Sequence, residues 1–129
     1  MAGDYPDWSK PRTLDALPNS DLFEGGDDVF TQGNVEGNRD LAAVPAGNRY
    51  IITTWVALDH DGTRRFQFRI VRGGITRIIA GGLTPAAEQP TSWSGYLVLE
   101  AGDIIRTRTY AGTGANRISW SVMGWIVPV

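Results

Sequence analysis

The stretch RRFQFRIVR, residues 64–72, alternates Phe66, Phe68 and Ile70 with Arg65, Gln67 and Arg69. A period of two sends the apolar set to one face of a strand and the polar set to the other. This alternation recurs from residue 28 to the end of the chain, broken by Gly and Pro punctuation. No segment keeps helical period for three turns, and no convincing capping box precedes an apolar run. The spacing predicts eight strands, at 28–33, 40–44, 49–60, 64–72, 75–80, 93–99, 103–110 and 116–127. Asp61-Gly62 and Gly73-Gly74 are hairpin signals, and Gly81, Gly82, Pro85 and Pro90 bracket a longer loop. Short strands with such turns mean an all-β antiparallel sandwich or barrel.

Two corners repeat one device. In LAAVPAGNRYIITTW (41–55) and YLVLEAGDIIRTRTY (96–110) an apolar run meets Ala-Gly plus Asn48 or Asp103, and a new apolar run follows at once. Val44-Pro45-Ala46-Gly47 and Leu99-Glu100-Ala101-Gly102 suit type I turns with glycine last.

Residues 1–27 behave differently. Pro6, Pro11, Pro18 and Gly25-Gly26 interrupt any period, which predicts an extended N-terminal arm ahead of a domain over 28–129. The arm nevertheless carries Tyr5, Trp8, Leu14, Leu17, Leu22 and Phe23. Disordered tails are poor in aromatics, so this arm is expected to lie on its own body, a second copy or another protein. Tyr5, Trp8, Lys10, Leu14, Leu17 and Phe23 are its candidate contact residues.

Charge divides the chain in the same way. Residues 1–40 hold nine acids against three bases, and residues 41–129 hold five acids against nine arginines. An acidic leader and a basic body are complementary, within a subunit or between subunits. Arg65, Arg69, Arg106 and Arg108 fall on predicted strands, with Ile104, Arg106, Arg108 and Tyr110 sharing one face. Arginine is favoured at protein interfaces, so these four are candidate partner-binding residues. Basic strands with aromatics also suit single-stranded nucleic acid. The sequence pI of about 5.2 and the acidic arm count against that partner. The last strand turns Ile118, Trp120, Val122 and Ile126 one way and Met123, Trp125 and Val127 the other. Trp125 is therefore a further candidate contact, on a face that needs a cover.

Chemistry finds little support. The one histidine sits in Asp59-His60-Asp61, at a predicted hairpin tip, and zinc would need ligands from elsewhere. Asp27-Asp28 lacks EF-hand spacing. A Ser-His-Asp constellation would need three groups to converge on that one histidine. Phosphate-binding and dinucleotide fingerprints are absent. There is no cysteine, no apolar run of transmembrane length, and no secretory pattern in MAGDYPDWSKP. The expectation is a protein with no enzymatic activity, cofactor, metal, nucleic-acid or membrane partner.

Three motifs in order complete the reading: VPAG at 44–47, LEAGDI at 99–104 and SVMG at 121–124. Together they resemble the small jelly-roll-like β-sandwich modules of tailed-bacteriophage structural proteins, over about residues 41–129. The resemblance implies a virion component, most simply a capsid decoration protein that forms homo-oligomers, with a trimer favoured. It also implies a major capsid protein or a tail protein as partner, and the capsid surface ahead of the tail as location. It supplies no binding residues. On a tail or fibre, Trp93 and Tyr96 beside the 81–92 loop would be candidates for stacking on sugars.

Overall fold

The computed structural model describes residues 21–129. Its eight strands are β1 (Asp21–Gln32), β2 (Gly37–Asp40), β3 (Asn48–Asp59), β4 (Arg64–Arg72), β5 (Ile75–Leu83), β6 (Thr91–Leu99), β7 (Ile104–Gly112) and β8 (Asn116–Pro128). They form two four-stranded sheets in the orders β1-β8-β3-β6 and β2-β7-β4-β5, with every pairing antiparallel. The first strand pairs with the last, the second with the seventh, the third with the sixth and the fourth with the fifth. One long hairpin rolled into two layers has this order, and it is the jelly roll. No helix occurs among the described residues.

The alternation predicted from the sequence builds the core. Phe66, Phe68 and Ile70 of β4 turn inward to meet Trp55 of β3, Ile105 of β7, and Ile118, Trp120 and Val122 of β8. Trp55 stacks on Phe68 at 5.0 Å between centroids, and its Nε1–H donates to Thr107 Oγ1 at 2.9 Å. Gly124 is buried as well, and a Cβ there would collide with the Ile51 carbonyl oxygen of β3. The glycine of SVMG thus permits β8 to approach β3 beside the bulge between Ile52 and Thr54.

Three expectations change. The first strand begins at Asp21, so residues 21–27, assigned to the arm, are the first half of a sheet strand. Phe23 is part of the body: it packs against the core and lies 4.4 Å from the Tyr50 ring. The strand expected at 40–44 is instead the short β2 at 37–40, because Leu41 and Val44 bond β7 and the Asp103 corner individually rather than as a ladder. The corners are also shifted by one residue. Asn48 N–H donates to Pro45 O at 3.2 Å and Asp103 N–H to Glu100 O at 3.1 Å, with Gly47 and Gly102 third in each turn at φ +86° and +90°. A positive φ at the third position marks a type II turn, which is why glycine stands there.

The two corners also bind each other. Val44 N–H donates to Asp103 O at 2.9 Å, and Gly102 N–H to Val44 O at 2.8 Å. Arg72 and the Glu100 amide both hold the Asp103 carboxylate, chiefly through the Arg72 pair, and keep it below the usual carboxylate range. The opposite end is closed by Arg64. Its guanidinium is fully buried, pairs with the equally buried Asp59 at 3.3 Å, and donates to the carbonyls of Gln32, Gly33, Tyr110 and Gly114.

Candidate functional site

The outer face of the β2-β7-β4-β5 sheet is a charged lattice. Arg106 and Asp40 are cross-strand partners joined by bidentate bonds of 2.7 and 2.9 Å. That hydrogen bonding raises the Arg106 pKa further. Arg108 bonds Glu36 at 2.6 Å and Asn38 at 3.2 Å. Arg69 bonds Gln67 Oε1 at 3.0 Å and the Tyr110 hydroxyl at 3.0 Å, while Arg65 stacks 4.8 Å from the Tyr110 ring centroid. The carboxylates of Arg106 and Arg108 come from residues 36–40, so the acidic leader and basic body meet within one chain. Arg106 and Arg108, expected to face a partner, are each paired within the chain with β2 or the loop before it and stay partly exposed.

The outer face of the β1-β8-β3-β6 sheet is different. Four residues stand in one register row across it: Leu22 opposite Trp125, Trp125 opposite Ile51, and Ile51 opposite Val98. Their chain neighbours Phe23, Ile52, Leu97 and Leu99 turn to the core side, so the row faces outward. Leu22 is 75% exposed and Val98 37%, yet Ile51 between them is only 5% exposed. Met123 and Tyr96, also exposed, extend the patch. Trp125 was expected on an outward face, and it stands there. Leu22, Ile51 and Val98 were not singled out as a set, because nothing short of strand register brings residues 22, 51, 98 and 125 together.

Beyond the row, Ser119 and Ser121 floor an open groove of about 600 Å³ between β1 and β3, walled by Glu24 and Asp28 on one side and Val56, Leu58 and His60 on the other. Here the structure makes a convergence that the sequence did not disclose. His60 Nδ1 lies 3.0 Å from Glu88 Oε2, and Nε2 lies 2.6 Å from Ser119 Oγ. By distance this is a Ser-His-carboxylate chain. The Ser119 hydroxyl also bonds the Asp28 carbonyl, and which His60 nitrogen donates follows the tautomer of the ring. The chain joins β1, β8, β3 and the β5–β6 loop.

The remaining candidates are structural. Asp59 is held by Arg64 and Asn116, and Asp61 by Arg117, which with its own backbone amide lowers the Asp61 pKa to about 2. Asp27 bonds Arg39 through both oxygens and accepts from Trp120 Nε1 at 2.7 Å. Among the described residues no group of three or more His, Asp or Glu side chains is placed to hold a metal ion. Trp93 packs against the core, and Tyr96 alone of the sugar-stacking pair is exposed. Tyr5, Trp8, Lys10, Leu14 and Leu17 lie outside the described residues.

No family model matches the sequence, and no curated protein matches it. Among solved structures, one titled as that of infectious bursal disease virus Gt strain contains a chain similar over 85% of the present chain, at 15% identity and a TM-score of 0.29. The present chain spans about 30% of that chain's length, and a likeness so distant assigns no family and no role.

Proposed function

We propose that the chain is a non-enzymatic structural component of a virus particle, a capsid decoration protein of the tailed-bacteriophage kind that binds the head and stabilises it. The observation that carries this reading is the outward apolar row Leu22–Trp125–Ile51–Val98 on a jelly roll whose other sheet carries Arg106 and Arg108 paired with Asp40 and Glu36. An apolar patch rimmed by polar residues marks a contact surface. The jelly roll itself serves capsid domains, lectins and cupins alike, so its support is analogy. The three sequence motifs that resemble phage modules add to it. In this reading many copies, grouped as trimers, contact the major capsid protein, and modest contacts gain strength through repetition. A protein that binds the assembled shell and not its dissociated subunits stabilises the shell by about 2.7 kcal/mol per site at a hundred times its Kd.

The test is co-sedimentation of the purified protein with heads that lack it, followed by thermal disruption of the decorated particles. Binding with a raised disruption temperature is the expected result. Failure to bind heads, with binding to isolated tails or fibres instead, transfers the protein to an adaptor or host-surface role. Binding to neither overturns the reading.

A further inference from the structure

The outward apolar row has a cover available in the same chain. The described chain starts at Asp21, the residue before Leu22, at the end of β1 that carries the row. Twenty residues precede it, and Leu14 and Leu17 stand seven and four positions before Asp21. Three strand spacings separate β1 from β6, about 14 Å. Four to seven extended residues reach about 13–23 Å, so Leu14 is within range of the whole row and Leu17 stops within a side chain's length of its β6 end.

Size also selects the occupant. Four strands by two register rows make about 250 Å². A stable dimer buries about 800 Å² on each partner. Two copies meeting through this patch alone fall well short, whereas a short apolar segment matches it. Ile51 stands at the centre of the row, between Trp125 and Val98.

We propose that residues 14–17 dock in cis on the Leu22–Trp125–Ile51–Val98 row. This rests on, and refines, the structural role above. Leu14 and Leu17 anchor the N-terminal segment to its own sheet, and Tyr5 and Trp8 remain as the part that engages a neighbour. With Leu14 docked, Trp8 stands six positions ahead of it, which allows about 20 Å of extended reach.

The native chain has no cysteine, so an engineered pair reports without interference. Leu17→Cys with Val98→Cys is oxidised in the isolated full chain and compared with Leu17→Cys with Arg65→Cys on the other sheet. Peptide mapping of a mixture of light and isotope-labelled protein separates links within a chain from links between chains. The expected result is at least tenfold more disulfide linkage between positions 17 and 98 than in the control pair, all of it within one chain. Equal linkage in the two pairs overturns the docking, and isotope-mixed linkage overturns its cis arrangement. As a second measurement, Leu14→Asp with Leu17→Asp should raise binding of an apolar-surface dye several-fold with the β circular dichroism unchanged. An unchanged dye signal counts against the proposal. All of this is read on isolated protein, so it is independent of whether particles are bound.

Discussion

Arg64 shows what a single residue decides here. In sequence it is one of two adjacent arginines opening an alternating strand, yet Arg65 is exposed while Arg64 is fully buried. Period two forces that difference. The buried guanidinium is tolerated because Asp59 and four carbonyls satisfy it, and no buried side-chain donor or acceptor among the described residues lacks a partner. Removing one member of such a pair leaves the other charge uncompensated. Asp59→Ala should therefore cost about 3–5 kcal/mol in chemical denaturation, and a cost below that of an ordinary surface change would refute the clasp. Gly102 supplies a second residue-scale case. At φ +90° an L side chain is strained, so Gly102→Ala should lower stability by about 1–2 kcal/mol. The alternative type I reading places no such demand on glycine, so a neutral Gly102→Ala would restore it.

At the scale of elements, β2 and β7 share the charged lattice. Both partners of the Arg106–Asp40 bridge remain partly exposed, and such pairs contribute about 0.2–1 kcal/mol. A double-mutant cycle on Arg106→Ala and Asp40→Ala should return a coupling in that range, falling with added salt. A coupling of several kcal/mol would mean that the lattice is more desolvated than the geometry shows. The element boundaries were legible only in part. Strands β3, β4, β7 and β8 announce themselves because each has a long alternating or β-branched run. Only the second half of β1 did, as 28–33, because Gly25-Gly26 and the acids hide a first half whose apolar contribution to the core is Phe23. β2 was misplaced because four residues are too few to show a period.

For the whole molecule, acid is the informative variable. Asp61 is lowered to about 2 from an ordinary 3.8, mainly by its hydrogen bonds to Arg117, and Asp27 and Asp103 are lowered through Arg39 and Arg72. A depressed folded-state pKa gives stability that is present above the unfolded value and lost as pH falls through the folded one. The melting temperature should therefore hold down to about pH 4 and decline from there toward pH 2, with Asp61→Asn flattening part of the decline. A chain that melts at the same temperature at about pH 5 and about pH 2 would contradict the pairing. Truncation is the second test at this scale. Deleting residues 2–20 should leave the β spectrum and cooperative unfolding intact, whereas extending the deletion through Phe23 should lower stability markedly. Equal effects would mean that β1 starts later than Asp21.

The sequence by itself determined the class of fold, the inward and outward sets of most strands, and where the corners fall, to within one residue and without their turn type. These follow from period two and turn chemistry, which are local and need no knowledge of neighbours. Tertiary structure alone decided three other things. The partners of Arg106 and Arg108 lie more than sixty residues away, so the arginine stripe could not declare itself paired. The convergence of Ser119, His60 and Glu88 depends on how the β5–β6 loop returns to the β3 end. The apolar row requires three strand registers to agree at once, and a slip of one residue in any of them would turn its member to the core. Register is set by non-local pairing in a rolled hairpin, and that is why the apolar row, unlike the fold class, could not be read along the chain.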